Sequence, residues 1–324
     1  MLVFLFFNSI EMEASNEATS FEGKPKSSTT IEIPDGEHYL SEYAIKKREL
    51  ITSIVIPDNV THIGYNCFKD CTSLTSLVIP DNVTRIGCNC FKGCKSLTSI
   101  VIPNNVTEIE YNCFEECTSL TSIVIPYGVT RLEDYCFKEC TSLTSIVIPD
   151  SVKYIGKYCF CCCTSLTSIV IPNNVEYIGN HCFVECESLT SIVIPDSVAK
   201  IEYNCFEECK SLTSIKIPNG VTHLDSRCFK GCKSLTSIEI PNSVTEIGKY
   251  CFAECESLKR VILPRLIREI PFRCFDKCTS LEVIVIPQSI KCIPFNSLRG
   301  CVKLSEIKIG DTNLDSNLEE NHIK

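Results

Sequence analysis

Twenty cysteines of this 324-residue chain fall into ten Cys-Phe-x-x-Cys pairs, from Cys67 and Cys71 to Cys274 and Cys278, with Cys301 alone one step further. Cysteine in such numbers raises three chemistries: metal ligation, disulfide cross-linking and thiol redox work. A zinc site wants Cys-x-x-Cys knuckles or histidines beside them. The spacing here differs, and His38, His62, His181, His223 and His322 form no row. A disulfide within a pair meets a distance problem, because i and i+4 side chains on a helix stand about 5–6 Å apart at Cβ where a disulfide wants about 3.5–4.5 Å. Bridges between successive units face a similar gap at about 4.8 Å strand spacing. What remains is packing: reduced cysteine as a small apolar side chain beside the phenylalanine row from Phe68 to Phe275. Cys88, Cys161, Cys162 and Cys292 lie off the two rows and are the candidates for reactive or exposed thiols. So many free thiols fit a reducing compartment better than an oxidising one.

No other residue group offers a reaction. The sequence has no tryptophan and no glycine-rich phosphate loop, and no Ser-His-Asp or paired-carboxylate arrangement stands out. An enzyme, a cofactor and a metal site are not expected. A net charge of −9 without a basic stripe argues against a nucleic-acid partner. The apolar run Met1–Phe7 is too short to span a membrane and lacks a preceding Lys or Arg, so it reads as a tail or an upstream start rather than a signal peptide. No transmembrane segment is expected.

The elements that must position the cysteines follow from the period. Prolines fall every 23 residues from Pro34 to Pro287, and Gly310 holds the next place. A strict period of this size signals a solenoid whose units bury their apolar faces only by stacking. In the unit from Pro57 to Pro80, Ser76-Leu77-Val78-Ile79 alternates as a strand does, with Leu77 and Ile79 inward. Cys67, Phe68, Cys71 and Leu74 fall at i, i+1, i+4 and i+7, the spacing of one face of a short helix or helical turn. Val60 and Ile63 anchor the return path.

Leu74-x-x-Leu77-x-Ile79-x-x-Asn82 resembles the leucine-rich repeat signature, with Asn59, Asn105 and Asn174 at its asparagine position and Ser151, Ser197, Ser243 and Gly128 as substitutes. More narrowly, the IPxxVxxIGxxCFxxCxSLxxI pattern resembles the BspA-type leucine-rich repeats of mucosal bacteria and parasitic protists, over about residues 29–310. The resemblance implies an α/β solenoid with a curved parallel sheet of about thirteen strands on its concave face, short helices or turns on its convex face, and a surface adhesion or binding role. It also implies that the repeat asparagines point inward and bond the neighbouring backbone. Asn59, Asn82 and Asn105 each open an Asn-x-Thr glycosylation sequon, and on that geometry would be poor acceptors. The expected organisation is a flexible segment 1–28, a solenoid 29–310 with atypical units at both ends, and a polar tail 311–324. In the first unit Ala44-Ile45 replaces Cys-Phe. In the last two, Pro271 and Pro294 follow the isoleucine, and Ser297-Leu298 replaces Cys-Phe in the final one.

The outward strand lanes are the candidate binding surface. A serine lane runs from Ser53 to Ser237 and a valine lane from Val55 to Val193, including Val101, Val124 and Val147. An apolar stripe of that length is unusual for a monomer without a partner. Toward the C-terminus the lanes change to Lys216, Glu239, Lys259, Arg260, Ile262, Glu282, Val283, Glu306 and Lys308. Opposite charges on adjacent strands give a face its choice of partner, so specificity is expected here, with the valines adding apolar area. The expected function is a non-catalytic scaffold that recognises a protein or other macromolecule through the concave sheet. Alternatives are a self-associating structural protein and a thiol-rich redox or metal buffer. The free cysteines point to the cytoplasm, the resemblance to a cell surface.

Overall fold

The structure is a computed structural model that describes residues 24–27, 29–42, 45 and 48–310. Met1–Phe7, Ala44 and the tail 311–324 lie outside the described residues. Among the latter, thirteen strands recur at 23-residue steps from Thr30–Glu32 to Glu306–Ile309 and stack in parallel. Register is unit to unit: Ser122 faces Ser145, Ile123 faces Ile146 and Val124 faces Val147. Each typical strand alternates exposed, buried, exposed, as the sequence pattern requires. At the N-terminal end Lys24–Ser27 pairs antiparallel with Thr30–Glu32.

A second parallel ladder, not foreseen from sequence, runs along the return path. Its strands are two residues long, from Tyr39–Leu40 to Glu246–Ile247, and again pair at the 23-residue step, as Tyr154 with Tyr177 and Ile155 with Ile178. Its buried member is the isoleucine or leucine of each unit, so the strand alternation repeats here in its shortest form.

Of the short helices or turns expected on the far side, the described residues show turns, and one 3-10 turn, Arg48–Leu50, is the only helical element among them. Each Cys-Phe-x-x-Cys segment is a chain of β-turns. Cys90 N donates to Gly87 O, Lys92 N to Asn89 O and Cys94 N to Phe91 O. The third residue of the first and last of these turns, Asn89 and Gly93, has positive φ. Turns of that kind require such a residue, and asparagine and glycine adopt it at least cost. Two left-handed residues per unit forbid a continuous helix. The segment instead bonds along the solenoid: Asn66 N reaches Cys88 O, Phe68 N reaches Cys90 O and Asp70 N reaches Lys92 O.

Between the ladders lies one continuous core. The ten phenylalanines from Phe68 to Phe275 are buried and form an unbroken stack, with ring centroids 5.3–5.6 Å apart and planes within 17° of parallel. Rings so nearly parallel report the step between units. That step exceeds the roughly 4.8 Å of a strand ladder, which makes the turn side the outer side of the curve and the strand face its inner side.

Candidate binding face and the cysteine rows

All 25 cysteines are free thiols. The second cysteine of each pair is buried, and from Cys94 onward its Sγ donates to the phenylalanine carbonyl of the preceding unit: Cys94 to Phe68 O, Cys117 to Phe91 O and Cys140 to Phe114 O, each at 3.1 Å. That carbonyl also accepts the turn bond within its own unit, so the thiol fills its second lone pair. Packing, with a weak hydrogen bond added, accounts for the rows. Burial pushes the thiols of Cys113, Cys136 and Cys159 far above the ordinary value, which keeps them protonated and inert.

The four cysteines off the rows separate. Cys88 is half-buried, its Sγ lies 2.8 Å from Glu110 Oε2, and burial together with that carboxylate pushes it up to about 12. Both effects disfavour the thiolate, the nucleophilic form. Cys292 is exposed, Cys161 is buried and Cys162 is half-buried. Among the described residues no three His, Cys, Asp or Glu side chains gather as a metal-binding group.

The expected inward asparagines are placed differently. Asn59 Nδ2 donates to Glu37 O at 2.7 Å, Asn82 to Asp58 O at 2.6 Å and Asn105 to Asp81 O at 2.7 Å, so each bonds the preceding unit. Yet Asn82 and Asn105 are exposed and Asn59 is half-buried. The bond is made at the rim of the coil, because the proline turn brings the backbone of the preceding unit to the surface there.

On the strand face the lanes have distinct chemistry. Several of the threonine hydroxyls preceding the strands are occupied by backbone: Thr98 Oγ1 donates to Thr75 O at 3.2 Å and Thr144 Oγ1 to Thr121 O at 3.1 Å. The serine lane is exposed from Ser53 to Ser237. The valine lane from Val55 to Val193 is 51–78% exposed, with Val101, Val124 and Val147 at its centre. Further along, Lys216, Glu239, Lys259, Arg260 and Glu282 are exposed, whereas Ile262, Val283, Glu306 and Lys308 are half-buried. Lys216 and Glu239 are register neighbours, and Glu282 N donates to Lys259 O, so the charged positions share one continuous surface. Val285 falls in the same lane but is only 3% exposed, so it adds nothing to the apolar stripe that ends at Val193.

Charges on the turn side are matched within the chain. Glu115 lies between Lys92 at 2.7 Å and Lys138 at 3.1 Å. Burial opposes its ionisation, but hydrogen bonds from Lys92, Asn112 and Lys138 outweigh that and hold it below the ordinary value. Similar pairs join Lys210 to Glu187, Lys230 to Glu207, Lys277 to Glu254 and Arg299 to Asp276 across successive units. Glu306 meets Lys308 at 3.4 Å on the last strand, whereas Lys216, Glu239, Lys259, Arg260 and Glu282 form no ion pair among the described residues.

Among the described residues no helix is long and apolar enough to cross a membrane. Comparison with curated proteins finds no match. Among solved structures, the chain is similar to a leucine-rich cell surface protein of Faecalibacterium prausnitzii, at 29% identity over 93% of this chain and 98% of that one, with a TM-score of 0.56. A leucine-rich repeat protein of Bacteroides ovatus shares 29% identity over 88% of each chain, with a TM-score of 0.62. One from Eubacterium ventriosum shares 26% over 87% of this chain and 78% of that one, with a TM-score of 0.56. The BspA type leucine rich repeat region matches residues 14–141, 84–213 and 199–321. With matched segments spanning both ladders and the cysteine turns, the chain belongs to the BspA-type leucine-rich repeat family.

Proposed function

We propose that this protein is a non-catalytic recognition scaffold whose strand face binds a macromolecular partner, most specifically along the C-terminal third. One observation carries the reading: Lys216, Glu239, Lys259, Arg260 and Glu282 stand exposed without ion-pair partners, in continuity with an exposed valine stripe. Unmatched charge of both signs selects a partner and steers its approach, and the valines supply apolar area. A bacterial relative is a cell surface protein, and adhesion at a surface is the setting in which this face would work. Photo-crosslinking residues placed at Lys259 and Val124, with controls on the turn side at Lys95 and Lys249, test the face. Cross-links to one macromolecule from the strand face only are expected, and cross-links from the turn side alone would overturn the reading. With the partner in hand, reversal of Lys259, Arg260 and Glu282 together should weaken binding and reduce its salt dependence, while Val101→Asp and Val124→Asp should matter less. The opposite ranking would move the site onto the valine stripe.

A separate observation favours end-to-end self-association as the second reading. The last strand, Glu306–Ile309, ends the sheet order among the described residues, and Phe295 and Ile309 in the final units are 91% and 67% exposed. An open, apolar strand edge is a template for pairing. Sedimentation over a dilution series should show association that Phe295→Asp with Ile309→Lys abolishes; a monomer at every concentration would exclude it.

A further inference from the structure

One unit departs from the rest on the turn side. At the two positions between its phenylalanine and its second row cysteine, where neighbouring units place Lys138 and Glu139 or Val184 and Glu185, it carries Cys161 and Cys162. Their sulfurs lie 3.4 Å apart. The backbone is pinned on both sides, Cys162 N donating to Val184 O at 2.8 Å and Glu139 N donating to Cys161 O at 2.8 Å. Cys162 sits in the left-handed region at φ 59°, which turns its side chain to the surface, where it is half-buried; Cys161 beside it is buried. Glu185 Oε2 is 3.7 Å from the Cys162 sulfur.

We propose that Cys161 and Cys162 form a vicinal-dithiol modification site that hydrogen peroxide converts reversibly to a disulfide. Cys162 is the attacking sulfur because it is the accessible one. The hydrogen bond from the Cys161 thiol holds it below the ordinary thiol value against burial and the two flanking carboxylates, while the same contact and burial push Cys161 up. The Cys162 thiolate attacks one peroxide oxygen; an S–O bond forms, the O–O bond breaks and hydroxide leaves, taking up a proton as water. The sulfenic acid on Cys162 is then attacked by the Cys161 sulfur; the S–S bond forms, the S–O bond breaks, and the Cys161 proton leaves with the oxygen as a second water. Adjacent Cα atoms are about 3.8 Å apart across a trans peptide, less than the roughly 4.4 Å at which relaxed disulfides begin, so the closed ring is strained. Strained disulfides are the readily reduced, regulatory ones, and a thiol reductant reopens it. No other off-row cysteine offers such a pair: Cys88 bonds to Glu110, and Cys292 is exposed without a thiol hydrogen bond among the described residues.

The folded full-length protein treated with stoichiometric peroxide, alkylated and digested tests this. The expected result is loss of two hydrogens located by fragmentation to Cys161–Cys162, restored by dithiothreitol, with the buried row thiols unchanged. Cys161→Ser should leave the sulfenic acid on Cys162 unresolved, so that dimedone labels it; Cys162→Ser should abolish both products. Circular dichroism of both variants checks that they fold. If Cys292 is oxidised while Cys161 and Cys162 remain fully alkylated, or if Cys162 passes to the sulfinic acid without a disulfide, the proposal is wrong.

Discussion

Phe160 lies between Phe137 and Phe183 with centroids 5.6 and 5.4 Å away, buried, and its neighbours are the same residue in the same pose. A cavity there cannot be filled by rearrangement of one unit without breaking register with two others. Phe160→Ala should therefore cost about 3–5 kcal/mol; denaturant unfolding measures it, and a negligible loss would mean that the stack carries no load. The cysteines beside the stack make a second prediction. Burial holds the fifteen row thiols from Cys113 to Cys274 above the ordinary value, so the folded chain keeps protons that the unfolded chain releases once pH exceeds its own thiol pKa. Stability is thus whole below the unfolded pKa and lost as pH rises above it. Each thiol withdraws about 0.4 kcal/mol where pH equals an unfolded pKa of about 8.5–9, and about 1.4 kcal/mol per further unit. Fifteen together remove about 6 kcal/mol at that pH, comparable to a whole domain's stability. Thermal unfolding should collapse steeply above about pH 9; a flat profile to pH 10 would show that the rows are not buried as thiols.

At the scale of the element, the turn segments carry the clearest lesson. Far-UV circular dichroism should show a strand-and-turn spectrum without the paired minima of helix, and a strong helical signal would contradict the turn chain. Cys67, Phe68, Cys71 and Leu74 have the spacing of one face of a short helix or helical turn. A run of β-turns buries the same positions, and what distinguishes the two is where the amides bond. Bonds from Phe68 to Cys90 and from Asp70 to Lys92 join residues 22 apart, and no local pattern registers them. The left-handed positions left a faint trace in Asn66, Asn89, Asn112, Gly93 and Gly231, diluted by Glu116, Glu139 and Tyr158 at equivalent places. The long strands were legible because Leu77 and Ile79 alternate with Ser76 and Val78 against a proline stop. The short ladder was not, since two residues such as His62–Ile63 give no alternation to count. For the strand face, the lanes and their charges could be read directly, Lys216 and Glu239 included. The burial of Val285 could not, because its residue type is that of the exposed lane.

The molecule as a whole is one unit advanced by a fixed 23-residue step, without an insertion from Pro34 to Gly310. Such arrays hold together by neighbour contacts alone, so their stability is a sum over interfaces rather than a property of one nucleus. The consequence is mechanical. Pulled by its two ends, the solenoid has no single barrier to break; each unit is bound to the next by nearly the same ladders, ring contact and thiol bond. Detachment should begin at Glu306–Ile309, which ends the sheet order among the described residues, and release one unit at a time. Each event frees 23 residues, about 80 Å of extended chain. A single-molecule trace should accordingly show a staircase of equal lengths at nearly equal force, and one large rip would mean that the units do not yield separately.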